Sequence, residues 1–116
     1  MSKFYAPSGK ALDDSRLAED YASAHRSGTL RVGELALYYR DGLRRRAVPL
    51  DDIRSAELRG RSRFAKCGCG CLEFKGASLD LYGEELLASV FSEDEEELSA
   101  ALGALRERLP GLAVMA

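Results

Sequence analysis

Tryptophan is absent from this chain, and histidine occurs once, at His25. Proline occurs three times and methionine twice. With five Tyr and four Phe as the only aromatics, the core must rest mainly on Leu, Ala and Val. No apolar run approaches the roughly 20 residues that a membrane-spanning helix needs. There is no internal repeat and no low-complexity linker. The first nine residues hold one Lys and no apolar stretch, so we expect no secretory signal and a cytoplasmic location. The three cysteines, Cys67, Cys69 and Cys71, are odd in number and lie within five residues. That excludes a secreted disulfide framework and fits a reducing compartment.

What is present fits one ordinary folded domain. The length of 116 residues suits a single domain, and 46% hydrophobic with 31% charged residues is globular composition. A chain of this size buries roughly two-thirds of its unfolded surface, so it needs neither metal nor disulfide to fold. The net charge of −2 is unevenly spread. The segment from Arg26 to Lys66 carries a surplus of six positive charges and the remainder a surplus of eight negative ones. Such a dipole suits a polyanion or an acidic partner, although mixed charge is also what solvated strand and helix faces ordinarily carry.

Along the chain, residues 1–10 read as an irregular arm that Phe4 and Tyr5 can pin to the body. A helix is expected within 12–27, capped by Asp13 or Asp14, with Leu17, Tyr21 and Ala24 on one face and Gly28 as its stop. From Thr29 the apolar period becomes two. Leu30 and Val32 alternate in one phase, and Leu35, Leu37 and Tyr39 in the other, so Gly33 marks a bulge or turn. Asp41-Gly42 between two strand-like runs predicts a tight hairpin. A return strand Leu43–Val48 ends at Pro49, and Ile53–Arg59 reads as the next strand. Gly60 to Gly70 reads as a polar loop. Three further strands follow at Leu72–Phe74, Leu79–Leu81 and Leu86–Phe91, with turns at Gly76-Ala77 and Gly83-Glu84.

The C-terminal helix, expected from Glu93 to Leu109, is the plainest element. Ser92 and Glu95 form a capping-box pattern, and Glu93 to Glu97 place negative charge at the helix start. Leu98, Ala101, Leu102, Leu105 and Leu109 make one apolar stripe. Residues 110–116 are an apolar tail, suited to an open sheet edge in this chain or in a second copy, or simply fraying.

About seven strands followed by one helix resembles the pleckstrin-homology-like superfold, especially its GRAM-type and bacterial versions. The likeness rests on Gly33-Glu34-Leu35-Ala36-Leu37-Tyr38-Tyr39-Arg40-Asp41-Gly42 and on Val48-Pro49-Leu50-Asp51-Asp52-Ile53, and it spans roughly Thr29 to Leu109. The resemblance implies an α+β fold, a seven-stranded antiparallel partial barrel over 29–109 with a C-terminal capping helix; the N-terminal helix expected before Gly28 is additional to that pattern. It also implies a binding module for lipid headgroups, peptides or proteins rather than an enzyme. Members that bind phosphoinositides place basic residues around the first hairpin; here Arg40, Arg44, Arg45 and Arg46 flank Asp41-Gly42.

Two groups of residues are candidate sites. The first is a basic surface of Arg44, Arg45 and Arg46 with Arg59, Arg61, Arg63 and Lys66, suited to an anionic ligand or a protein partner. Phe64 is the only aromatic in its loop, so base stacking, and with it nucleic acid, has little support. The second is Cys67-Gly68-Cys69-Gly70-Cys71. Thiolates suit Zn²⁺ or Cu(I), and the glycines let the backbone curl so that sulfurs converge. Alternatively these are small buried thiols that only pack, or a redox pair. His25 near the expected helix end fits dipole compensation better than catalysis. No nucleophile–base constellation and no phosphate-binding loop is readable. We therefore expect a non-enzymatic binding module without a cofactor, with a homodimer through the tail or a sheet edge as a further expectation. The alternative is a thiol-rich metal-binding or redox-sensing protein.

Overall fold

The structure, a computed structural model, describes residues 4–12, 14–41, 44–68 and 70–115; for residues 41, 61–67, 71, 72, 74 and 115 it describes the backbone alone. The chain is α+β, with ten strands in two sheets and two helices. After β1 (Phe4–Tyr5) and β2 (Ala11–Leu12) comes α1 (Arg16–Ser23). Then four antiparallel strands follow in sequence: β3 (His25–Ser27), β4 (Leu30–Val32), β5 (Ala36–Asp41) and β6 (Arg44–Pro49). A 3-10 turn, Leu50–Asp52, leads to a second antiparallel set: β7 (Ser55–Cys67), β8 (Gly70–Tyr82) and β9 (Leu86–Ser92). Helix α2 (Glu95–Arg108) and β10 (Ala113–Met115) close the chain. The first sheet has the order β2-β1-β6-β5-β4-β3, the second β10-β7-β8-β9. Among the described residues, no helix is long and apolar enough to cross a membrane.

Period-two alternation decides which side of each strand is buried. Leu30, Val32, Leu37 and Val48 of the first sheet meet Ala56, Leu79, Leu81 and Val90 of the second. Leu98, Ala101, Leu102 and Leu105 of α2 complete this main core. The α2 stripe behaves as expected, but its cap differs: Asp94 is the N-cap and accepts from the Glu96 amide at 3.0 Å, while Ser92 Oγ accepts from the Asp94 amide. A second apolar cluster lies on the other face of the first sheet, where Phe4, Ala36, Tyr38 and Ala47 meet Leu17 of α1.

Four expectations need correction. The strand count is ten, not seven: β1, β2, β3 and β10 are additional, and the expected strands Leu72–Phe74 and Leu79–Leu81 are one strand, β8; β1 pairs parallel with β6, and β10 pairs parallel with β7 of its own chain. The tail thus occupies an edge within the same chain. The N-terminal helix ends at Ser23, and His25–Ser27 forms β3 instead. Gly28 is not a helix stop; its φ of 60° makes the turn from β3 into β4. Finally, residues 60–67 belong to β7 rather than to a loop. The β7–β8 ladder continues from Ser55↔Tyr82 to Cys67↔Gly70, and Gly76-Ala77 lies inside β8 rather than in a turn. Residues 60–67 carry no apolar alternation to announce a strand.

Gly28 combines a left-handed φ with a close neighbour, since a Cβ there would overlap the Glu97 side chain. Glu97 accepts from both the backbone amide and the hydroxyl of Thr29, each at 2.7 Å, so it cannot withdraw without loss. Gly28→Ala is expected to cost about 2–3 kcal/mol in urea unfolding, the sum of backbone strain and a disturbed carboxylate. A loss below about 0.5 kcal/mol would show that this turn tolerates a side chain.

Candidate anion-binding groove

With Leu30, Val32, Leu37 and Val48 turned into the main core, the alternate residues face the opposite side of the first sheet. The register then aligns arginines. Arg26 stands opposite Arg31, Arg31 opposite Tyr38, and Arg40 opposite Arg45. Helix α1 covers this face over Tyr38 and Ala47. Beyond its end a groove of about 350 Å³ opens, lined by Arg26, Arg31, Arg40 and Arg45 with Tyr21, Tyr38, Tyr39, Gly28 and Thr29. Four adjacent strands each contribute one arginine. Among the described residues, the lining holds no carboxylate.

Directly opposed like charges destabilise a sheet. Here neutral groups hold several of them in place. The Arg31 guanidinium lies 4.1 Å from the centroid of the Tyr21 ring and donates to the Tyr21 carbonyl at 3.0 Å. The Arg45 guanidinium lies 4.9 Å from the same ring, so arginines from two strands converge on one aromatic. Arg26 Nε donates to the Gly28 carbonyl at 3.3 Å. Among the described residues, no carboxylate lies within 4 Å of Arg26, Arg31 or Arg40.

Tyr21 is fixed from behind. Its ring packs edge-on against Tyr38 at 5.3 Å and tilted against Phe4 at 5.5 Å. Tyr38 in turn donates to Asp20 at 2.6 Å. Asp20 also accepts the Glu34 and Leu35 amides, at 2.8 and 3.1 Å. One carboxylate of α1 therefore gathers the turn before β5 and the centre of β5. From the other side, Glu97 of α2 holds Thr29, and Ser27 Oγ donates to the Glu97 carbonyl at 2.7 Å. Both walls of the groove are thus anchored to helices.

Burial, and then the hydrogen bond to Asp20, push the Tyr38 hydroxyl far above the usual tyrosine range. The native state binds this proton more tightly than the unfolded chain does. Its contribution is therefore complete below about pH 10, the ordinary tyrosine value, and is lost as pH rises beyond it. Unfolding free energy is expected to fall above about pH 10, and Tyr38→Phe should flatten that fall while lowering stability at neutral pH by about 1 kcal/mol. Identical alkaline limbs for the two proteins would contradict this assignment.

The basic residues expected from the sequence separate. Arg45 reaches the groove. Arg44 instead lies over the Tyr5 ring at 4.9 Å, and Arg46 donates to the Ala6 carbonyl at 2.9 Å, so both fasten the N-terminal segment. Arg59 belongs to the second sheet, with its Nε 3.5 Å from Glu57. Arg61, Arg63 and Lys66 lie on the backbone of β7, and their side chains fall outside the described residues. The cysteine cluster does so as well: Cys67 and Cys71 are placed by backbone only, and Cys69 is outside entirely. Among the described residues, no group of three His, Cys, Asp or Glu could hold a metal. His25 is exposed at the start of β3, directly after the C-cap Ala24 of α1.

Sequence reasoning missed Arg26 because it placed that residue in a helix. Arg31 was the available signal, a charged residue between Leu30 and Val32 in an alternating strand. No family model, no curated protein and no solved structure matches this chain.

Proposed function

We propose that this chain is a non-enzymatic, pleckstrin-homology-like binding module that takes an anionic ligand in the arginine groove. The observation that carries the reading is the convergence of Arg26, Arg31, Arg40 and Arg45, from four adjacent strands, on one concave lining that holds no carboxylate among the described residues. Guanidinium forks bind phosphate and carboxylate oxygens in pairs, and a shallow groove with low-dielectric walls strengthens each contact. A volume of about 350 Å³ falls at the small end of ligand sites. The order of elements supports the fold resemblance: four antiparallel strands in one sheet, three in the next, then a helix across the core. Strands β1, β2 and β10 and helix α1 are additions to that plan.

The Tyr21 ring is occupied by Arg31 and Arg45, and Tyr38 is fully buried. The groove therefore offers little aromatic face to a nucleobase, and charge rather than stacking is the basis of recognition. Calorimetric titration with sodium pyrophosphate, with vesicles containing anionic lipid, and with an acidic peptide tests the reading. Saturable binding to at least one probe, weakened by salt and by Arg40→Gln but not by Arg59→Gln, is expected. Absence of binding to all three at low salt would overturn it.

A further inference from the structure

A second depression, sharing no residue with the arginine groove, takes its lining from both sheets. One wall is the turn between β1 and β2. Backbone bonds from the Gly9 amide to the Ala6 carbonyl and from the Ala6 amide to the Lys10 carbonyl, both 2.8 Å, close that turn. The other wall is the start of β9. Between them lies a groove of about 500 Å³ whose apolar lining includes Pro7, Leu12, Pro49, Leu86 and Leu87. Leu86 is 55% exposed, and among the described residues Val114 is the only other large hydrophobic side chain left so open. A lone apolar side chain on a surface is ordinary, but one on the rim of an apolar groove marks a contact.

The groove runs into a trough of about 360 Å³ lined by Asp51, Asp52, Glu84 and Glu85 with Arg54. Asp52 and Leu87 line both, so the two are continuous. All four carboxylates are exposed. Glu84 lies 3.8 Å from the Arg54 guanidinium. Among the described residues, Asp51, Asp52 and Glu85 have no ion-pair partner. The backbone beneath them is fixed. The Arg54 amide donates to the Tyr82 carbonyl at 2.8 Å, which ties the end of the 3-10 turn to the β8–β9 turn. Gly83 leaves no room for a side chain, since a Cβ there would lie 2.8 Å from the Asp52 carbonyl oxygen.

We propose that the groove and the trough together dock an exposed segment of a partner protein in which aliphatic side chains adjoin Lys or Arg. The apolar groove takes the aliphatic side chain, and the carboxylates take the cations. Charge complementarity selects this occupant. Four carboxylates against one arginine repel an acidic segment and attract a basic one. Both depressions are open to solvent, so they would bury too little of a small ligand to hold it. A peptide gains from a buried aliphatic side chain and from its charges at once.

Fluorescence anisotropy of the full chain with two labelled peptides, Leu-Leu-Gly-Lys-Arg-Lys and its reverse, tests this for both directions of binding. At least one is expected to bind with a Kd of roughly 10 µM to 1 mM at low salt. Serine in place of its leucines should weaken binding about tenfold, and glutamate in place of its basic residues should abolish it. Leu86→Ser and Asp52→Asn/Glu85→Gln should each weaken binding about tenfold, while Glu107→Gln on α2 leaves it unchanged. The substituted side chains are all exposed, so the fold should survive each change. No saturable binding of either peptide, or equal binding of the serine form, would overturn the proposal. So would wild-type affinity in both Leu86→Ser and Asp52→Asn/Glu85→Gln.

Discussion

Asp20→Ala is expected to lower unfolding free energy by about 3–5 kcal/mol, the summed effect of three donors left inside the protein. The Tyr38 hydroxyl and the Glu34 and Leu35 amides all donate to this one carboxylate. The Tyr38 hydroxyl is fully buried and has no water to turn to, while the Glu34 and Leu35 amides, part-buried, lose an acceptor that is itself buried. Asn is the informative comparison. Its single carbonyl oxygen can keep one or two of these donors, so Asp20→Asn should cost about half as much. The damage should reach the groove as well. Tyr21, one residue further along α1, is the ring on which Arg31 and Arg45 lie. Thermal or urea unfolding checks the first claim, and pyrophosphate binding near neutral pH checks the second. A cost below about 1 kcal/mol for the Ala variant would show that α1 is held elsewhere.

The second large effect has opposite signs for stability and for binding. Arg26 and Arg40 sit at exposed positions in register rows where each faces another arginine. Neither has a carboxylate partner among the described residues. Replacing both with Gln removes two like-charge contacts, each unfavourable by about 0.2–1 kcal/mol. Stability should therefore hold or rise by up to about 1 kcal/mol. Anion affinity should fall at least a hundredfold, because each charge-assisted contact contributes about 1.5–3 kcal/mol. A residue kept for folding behaves in the contrary way, losing stability when removed. If Arg26→Gln/Arg40→Gln is destabilised and binds anions like wild type, the arginine rows are structural.

How far the sequence disclosed this arrangement depends on what each segment packs against. Helix α2 was readable because its stripe of Leu98, Ala101, Leu102 and Leu105 faces a core along its whole length. The β5–β6 hairpin was readable because Asp41-Gly42 lies between two strand-like runs, which form Ala36–Asp41 and Arg44–Pro49; Asp41 pairs with Arg44, and Gly42 and Leu43 lie outside the described residues. Of the distal β7–β8 ladder only Leu72–Phe74 was readable, because β7 from Gly60 to Cys67 has polar residues such as Arg61 and Ser62 where a half-buried strand would alternate. Strand β3 was hidden for another reason. His25-Arg26-Ser27 has one buried residue, Ser27, and follows α1 directly, although the helix already ends at Ser23 and Gly28 only turns the chain from β3 into β4. That error concealed Arg26 and with it one wall of the groove. Arg45 was found from the basic run alone, but its neighbours Arg44 and Arg46 serve the N-terminal segment instead. Clustering in sequence thus overstated the site on β6 and understated it on β3 and β4.

The central claim is that anions are recognised on the arginine face of the first sheet and not on the distal β7–β8 ladder. Backbone amide spectra of the full chain, recorded during titration with sodium pyrophosphate at low salt, test it most directly. The account predicts saturable shifts concentrated at Thr29, Arg31, Arg40 and Arg45, all lost in Arg26→Gln/Arg40→Gln. Saturable shifts confined to Gly60–Gly76, or no saturable shift anywhere, would contradict it.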